Sequence, residues 1–364
     1  MQERVLRFLT SPGAESFDDL ALAVFRHQAE ANPAYHQWCE AVGCTPASVA
    51  TVDAIPAVPV AAFKELELCT GMPAAEFRTS GTTGTGPGRH LLPSLEPYRV
   101  AALAWFGACV MPEGWKMRTL VLAPPPTLRP ASSLSRMLAW IIEASGEDGS
   151  GWYVGAAGLE HERLAGALLD AQRGGIPVLV LATSAALLDF LAYCDATGLV
   201  VALPGGSRLM DTGGQKGSAS RWPRPAAVFQ DGLYRRVAAT LGIPVTRCVN
   251  EYGMTELCSQ FYDDVMVRPH EVPATPRVKV VPPWVRTRVV DPVTLETAPE
   301  GQAGLLVHVD LANVGSVIAV QTEDLGTMVP GGFILEGRPR AAEARGCGLT
   351  FAELAASSPQ GPGR

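Results

Sequence analysis

Residues 119–123 (Thr-Leu-Val-Leu-Ala) and 178–183 (Val-Leu-Val-Leu-Ala-Thr) are short, unbroken apolar runs. They lack the alternation of a strand with one wet face, so they suit parallel strands covered on both sides. Helical patterns near 131–144, 159–172 and 185–196 intervene, and another near 231–241 leads through Gly242 and Pro244 into a strand expected at 245–250. Strand and helix in alternation predict a layered α/β sheet. Ahead of it, Phe17, Leu20, Val24 and Phe25 predict a helix over 17–31 that Asn32-Pro33 stops. A Pro-rich connector at 55–60 reads as extended, and a helix runs from Ser94 to about Val110 with Pro97 in its first turn. From 277 the character changes: 277–281, 284–290 and 305–309 look like antiparallel strands joined by Pro and Gly turns. The expected division is an α/β core at 1–275, a small β-rich subdomain at 276–337 and a short tail at 338–364.

With 364 residues, 47% of them hydrophobic, the chain has ample material for a packed core. Its 29 basic and 36 acidic side chains leave a formal charge of −7, which gives no electrostatic reason to expect nucleic acid or an anionic membrane as partner. The first residues place charge where a signal peptide needs its apolar segment. The longest uncharged apolar stretches, 100–111 and 176–188, fall short of the ~20 residues of a spanning helix. A soluble cytoplasmic protein with no membrane span is expected. The eight cysteines are scattered without metal spacing, and most read as small core hydrophobes in a reducing compartment.

Four segments carry candidate chemistry. In Phe77-Arg78-Thr79-Ser80-Gly81-Thr82-Thr83-Gly84-Thr85-Gly86, three glycines allow tight turning while hydroxyls and N–H groups can face one anion. Pro87 stands where a P-loop NTPase requires lysine, and Arg89 and His90 supply positive charge nearby. A flexible surface loop is the alternative. Asn250-Glu251-Tyr252-Gly253-Met254-Thr255-Glu256 follows a predicted buried strand, where ligands of α/β sheets collect, with a ring, a hydroxyl and carboxylates close together. A polar strand exit with a core tyrosine fits the same string. Asp211-Thr212-Gly213-Gly214-Gln215-Lys216-Gly217 is a Gly-rich turn, and Thr322-Glu323-Asp324-Leu325-Gly326 reads as an acidic turn after an apolar run at 317–320. One carboxylate there could accept both hydrogen bonds of a ribose diol.

In this order the segments resemble the adenylate-forming superfamily of acyl-CoA ligases, peptide-synthetase adenylation domains and luciferases. Within it the chain is most similar to the acyl-protein synthetases (LuxE-type) of bacterial bioluminescence, fatty-acid-activating partners of an acyl reductase. Supporting segments are Pro87-Gly88-Arg89-His90, residues 212–217, Tyr252-Gly253-Met254-Thr255-Glu256-Leu257-Cys258-Ser259-Gln260, and Glu343-Ala344-Arg345-Gly346-Cys347. The resemblance implies an adenylate-forming N-terminal-type domain with ATP and Mg²⁺ as cofactors. It implies that Thr79, Ser80, Gly81, Thr82, Thr83 and Gly84 grip phosphates. Tyr252 would lie against adenine, in a pocket shaped by Gly213, Gly214, Glu251 and Gly253. Thr255 would contact the α-phosphate, Glu256 would hold Mg²⁺, and Asp324 with Arg338 would bind ribose. Lys216 and His90 are candidates for the carboxylate or the developing pentavalent phosphate.

Two features depart from that pattern. The superfamily's lysine after the phosphate loop is absent, Arg89 being the nearest charge, and Gly337-Arg338 is followed by 26 residues without lysine, so the C-terminal lid domain reads as missing or vestigial. Cys347, among arginines that favour a thiolate, is the acyl acceptor implied by the resemblance, with a tail cysteine of no role as the alternative. The expected function is ATP-dependent activation of a carboxylic acid, a fatty acid by resemblance, and its transfer to a protein cysteine as thioester. The implied partner is an acyl reductase or another acyl-acceptor protein. The rivals are a phenylacetate-type acyl-CoA ligase and a partner-dependent nucleotide-binding subunit.

Overall fold

The computed structural model describes residues 1–79, 86–114, 116–213, 226–268 and 276–337. The chain divides into two compact units, each discontinuous in sequence, rather than along the linear division above. Of the described residues, one holds those within Met1–Ala101, Thr255–Ser259 and 281–337; the other holds those within Ala102–Met254 and Gln260–Val280.

The second unit is the layered α/β sheet. Five parallel strands lie in the order Gly151–Trp152, Arg118–Leu122, Val178–Thr183, Arg208–Thr212, Cys248–Tyr252, and the antiparallel strands Phe261–Asp263 and Lys279–Val280 extend it beyond the last. Val178, Leu179, Leu181 and Ala182 are fully buried, as their unbroken apolar run requires of a strand covered on both faces. Helices Ser133–Ser145, His161–Gly174, Ser184–Thr197 and Ala226–Leu241 alternate with the strands. Ser132 and Thr183 cap two of them by accepting the N–H groups of Ser135 and Ala186.

The strand expected at 245–250 starts later. Val245–Arg247 is a helical turn, and the strand is Cys248–Tyr252, so Asn250 and Glu251 lie inside it, buried, instead of forming a polar exit. The strand Arg208–Thr212, which no apolar run announces, lies beside it in parallel. Of the segment 277–281, only Lys279–Val280 is strand, and it belongs to this sheet.

The first unit contains an antiparallel meander of Val285–Val290, Gly304–Asp310, Ala319–Val329 and Gly332–Gly337, with Val58–Pro59 of the Pro-rich connector pairing in parallel onto the third strand. The acidic turn expected at 322–326 is absent: Ala319–Val329 runs through it. Neighbours on both edges pair its backbone, and the polar residues are absorbed by a register slip at Leu325/Gly326 and by Asp324 N–H donating to Thr322 Oγ1 at 3.0 Å. Helix Phe17–Ala31 ends as expected, but Asn32-Pro33 also opens a second helix, Pro33–Ala41, with Asn32 Oδ1 accepting Tyr35 N–H and Pro33 in the first turn. Gln28 Nε2 donates to the Asn313 carbonyl (2.9 Å) and its Oε1 accepts Ile318 N–H (2.7 Å), so the first of these helices pins the turn after Gly304–Asp310. No helix among the described residues is long and apolar enough to cross a membrane.

Candidate functional site

In the α/β unit the candidates gather at the carboxyl ends of two adjacent parallel strands. Glu251 pairs in register with Thr212, which places Tyr252 beside Gly213 at the edge where α/β sheets bind ligands. Thr212 Oγ1 donates to Glu251 Oε2, binding the strand ends together. Gly213 has φ +95°, a conformation that side chains other than glycine rarely adopt. At Gly253 a Cβ would stand 2.2 Å from Glu251 Oε1, so a larger residue there would require that carboxylate to move.

A buried polar network supports this edge from below. Asp211 accepts the hydroxyls of Ser184 (2.6 Å) and Tyr234 (2.5 Å), and its carbonyl accepts Asn250 Nδ2 (3.3 Å). Burial pushes the Asp211 carboxyl up, against these donors and against Lys279. Lys279 Nζ donates to the Asn250 carbonyl (2.8 Å), Asn250 Oδ1 (2.7 Å) and Asp263 Oδ1 (2.8 Å), while Arg277 reaches Asp263 Oδ2 at 3.2 Å and lies over the Tyr234 ring. Two cations and two carboxylates thus lock the strand that ends in Tyr252.

In the other unit the strands that flank the hydroxyl-rich segment pair with each other. Ala75–Arg78 pairs antiparallel with Arg89–Leu92, and the turn is closed by Thr79 N–H on the Gly88 carbonyl (3.0 Å) and Gly88 N–H on Thr79 Oγ1 (2.8 Å). Arg89 forms an exposed ion pair with Glu67 at 2.8 Å. His90 is buried with both ring nitrogens covered: Nδ1 donates to the Thr255 carbonyl at 2.6 Å, and Nε2 lies against Asn313 Oδ1 at 2.9 Å. Neither ring nitrogen is exposed to meet a ligand. Asn313 Nδ2 donates to the Glu256 carbonyl (2.9 Å). Asp310 accepts Cys258 N–H (3.0 Å) and the Ser259 hydroxyl (2.7 Å). Segment 255–259 is therefore held by His90, Asn313 and Asp310. Asp324 is buried on Ala319–Val329.

Sequence reasoning missed Asn313, Asp310, Ser184 and Lys279. Each acts on a motif more than 25 residues away, and only the capping pattern of Asp310 at a strand end carried any local signal. Ser80, Gly81, Thr82, Thr83, Gly84, Gly214, Lys216, Arg338 and Cys347 lie outside the described residues. Among the described residues no group of three or more His, Cys, Asp or Glu is placed to hold a metal by itself. A nucleotide-bound Mg²⁺ takes one or two carboxylates and fills its other positions with phosphate and water, so Glu256 fits that requirement chemically. Burial pushes the thiol of Cys39 up to about 12 and that of Cys194 up to about 11, and raises those of Cys109, Cys248 and Cys258, which leaves all five poor nucleophiles.

Burial also pushes the imidazoles of His90 and His308 down to about 4 and about 3, and the Asp310 carboxyl up to about 6. Below about 6.5 the unfolded chain protonates both histidines while the folded chain does not, so stability present above that pH is lost on acidification toward 4. Asp310 acts oppositely, since the folded chain holds its proton up to about 6 and acid relieves its burial cost. The Asp211 carboxyl, also pushed up by burial, acts in the same direction as Asp310, and the two strongly lowered histidines outweigh both. Unfolding free energy from urea titration should fall by about 3 kcal/mol between pH 7.5 and 4.5; an unchanged urea midpoint would refute these protonation states.

The fold is that of the adenylate-forming enzymes. A 2-hydroxyisobutyryl-CoA ligase, solved in the postadenylation state in complex with R3-HIB-AMP, superposes with a TM-score of 0.60 over 90% of this chain and 70% of its own, at 16% identity. An ATP-bound MatB from Rhodopseudomonas palustris gives 0.52 over 73% and 48%, at 17% identity. Within that class, residues 188–355, just under half of the chain, match the family described as acyl-protein synthetase, LuxE. A long-chain-fatty-acid–luciferin-component ligase of Aliivibrio fischeri is 28% identical over 112 residues, and its counterpart in Vibrio harveyi 28% over 109. The chain spans little more than a quarter of the length of these relatives, 27% and 26%.

Proposed function

We propose that this chain joins a long-chain carboxylic acid to AMP and then delivers the acyl group to a cysteine thiol. The observation that carries the reading is Gly213 beside Tyr252 at the carboxyl edge of a parallel sheet, inside the segment matched by the acyl-protein synthetase family. The names of the two bacterial relatives favour a fatty acid and a protein acceptor.

A carboxylate is a poor electrophile because its charge is delocalised and its leaving group would be oxide. Its oxygen attacks the α-phosphorus of ATP, the bond to the β-phosphate oxygen breaks, and pyrophosphate leaves; the acyl-AMP now carries a good leaving group. Tyr252 supplies a face for adenine, framed by Gly213, Gly214, Glu251 and Gly253. Thr79, Ser80, Gly81, Thr82, Thr83 and Gly84 offer hydroxyls and N–H groups to the phosphates. Asp324 and Arg338 take the ribose, Thr255 meets the α-phosphate, and Lys216 meets the carboxylate. Glu256 holds Mg²⁺, which when bound neutralises the phosphate charge. The Cys347 thiolate then attacks the acyl carbon and expels AMP, forming a thioester. An acyl reductase or similar protein would receive the group, in a cytoplasm that keeps thiols reduced.

Acid-dependent exchange of labelled pyrophosphate into ATP tests the first half-reaction, and Cys347→Ser separates the second. The variant should keep exchange within about twofold while stable acylation of the chain falls at least about tenfold. Acylation of Cys347→Ser at the wild-type level would assign the acceptor elsewhere. Product formation that requires added CoA would favour an acyl-CoA ligase, and ATP binding with no exchange a partner-dependent subunit.

A further inference from the structure

We infer that His90 and Asn313 are a positioning pair that sets the Thr255-Glu256 dipeptide for acid activation; this rests on the reading proposed above. His90 is the second residue after the phosphate-loop hairpin closes at Gly88, and its ring is within 2.6 Å of the Thr255 carbonyl. Asn313 spans from the same ring, at 2.9 Å, to the Glu256 carbonyl, also at 2.9 Å. The carbonyls of two consecutive residues, the proposed α-phosphate and Mg²⁺ contacts, are thus each held from one side by one of two adjoining buried side chains.

The pair is itself held. Phe63 packs edge-on to the His90 ring at 5.7 Å between centroids, and Gln28 donates to the Asn313 carbonyl. His90 is 1% exposed and Asn313 fully buried. Donation by Asn313 Nδ2 to the Glu256 carbonyl fixes which way the amide points, so its Oδ1 faces the ring. The neutral ring carries one N–H, and the shorter contact, to Thr255, takes it, so Nε2 touches Asn313 Oδ1 without a hydrogen bond and each residue holds its own carbonyl.

Positioning of this kind acts on charge that develops in the transition state, so its loss should appear in kcat and leave ATP binding nearly untouched. His90→Leu keeps the volume and removes the donor; His90→Asn restores an N–H near the place of Nδ1. For the acid-dependent exchange reaction, His90→Leu should lower kcat by about 10- to 100-fold with the KM for ATP within about threefold. His90→Asn should recover most of that loss.

Asn313→Ala, which spares the bond from His90 to Thr255, should lower kcat about tenfold on its own and serves if His90→Leu does not fold. Wild-type kcat in His90→Leu or in Asn313→Ala overturns the inference, as does a loss in His90→Asn equal to that in His90→Leu, which would mean that only ring packing matters. If the unaltered protein shows no exchange with any acid, the activation reading has failed and this one with it. A wild type that exchanges beside variants that exchange equally well refutes the positioning pair alone.

Discussion

Asp263→Ala should lower stability by about 3–5 kcal/mol, the largest effect expected of any single substitution in the α/β unit. Asp263 is 1% exposed and accepts three donors: Lys279 Nζ, Arg277 Nη1 and the N–H of Asn250. Its removal leaves the buried cations of Lys279 and Arg277 without the carboxylate that both meet. The cost is the desolvation of unpaired charge and not merely three lost hydrogen bonds, because a buried charge without its partner is far more expensive than a neutral pair. Charge balance makes the test sharper. Removing Lys279 as well should cost less than the sum of the two single variants, since each single leaves a charge that the double removes. Thermal or urea unfolding of the four proteins measures the coupling, and additive losses would show that the cluster is not electrically coupled. Lys279 also holds the carbonyl and side chain of Asn250, so a destabilised cluster loosens the strand that presents Tyr252.

Glu256→Gln should reduce acid-dependent pyrophosphate exchange by about 100-fold or more while the protein stays folded. Glutamine keeps the size and one carbonyl oxygen but not the charge, and an uncharged ligand holds Mg²⁺ weakly against four converging anionic groups. Raising the Mg²⁺ concentration should restore part of the loss, a response that a purely structural role for Glu256 would not give. Exchange at the wild-type rate in Glu256→Gln would remove this carboxylate from the proposed chemistry.

Much of the architecture was legible where burial and composition agree. The strand Val178–Thr183 and the helix Phe17–Ala31 follow from apolar runs and from spacing, because both elements bury the side chains that define them. Arg208–Thr212 escaped notice because Arg208, Asp211 and Thr212 are polar yet buried, each met by a partner distant in sequence: the Val110 carbonyl, Ser184 with Tyr234, and Glu251. The same reason moved the strand at 248–252 and hid the passage of Ala319–Val329 through its acidic segment. Apolar patterning cannot register a strand whose polar groups are satisfied by tertiary neighbours. The order of the motifs was legible, and so was the neighbourhood of Gly213 and Tyr252. What braces them was not: Asn313 lies 57 residues from Glu256, and His90 165 from Thr255.

The most direct test is chemical quenching of the full chain mixed with Mg·ATP and a long-chain fatty acid, followed by mass spectrometry of the released small molecules. Acyl-AMP should appear within the first turnovers, in amounts approaching one per chain in Cys347→Ser, where the thiol that would consume it is gone. A chain that binds ATP yet yields no acyl-AMP with fatty, aryl or short acids would contradict the account.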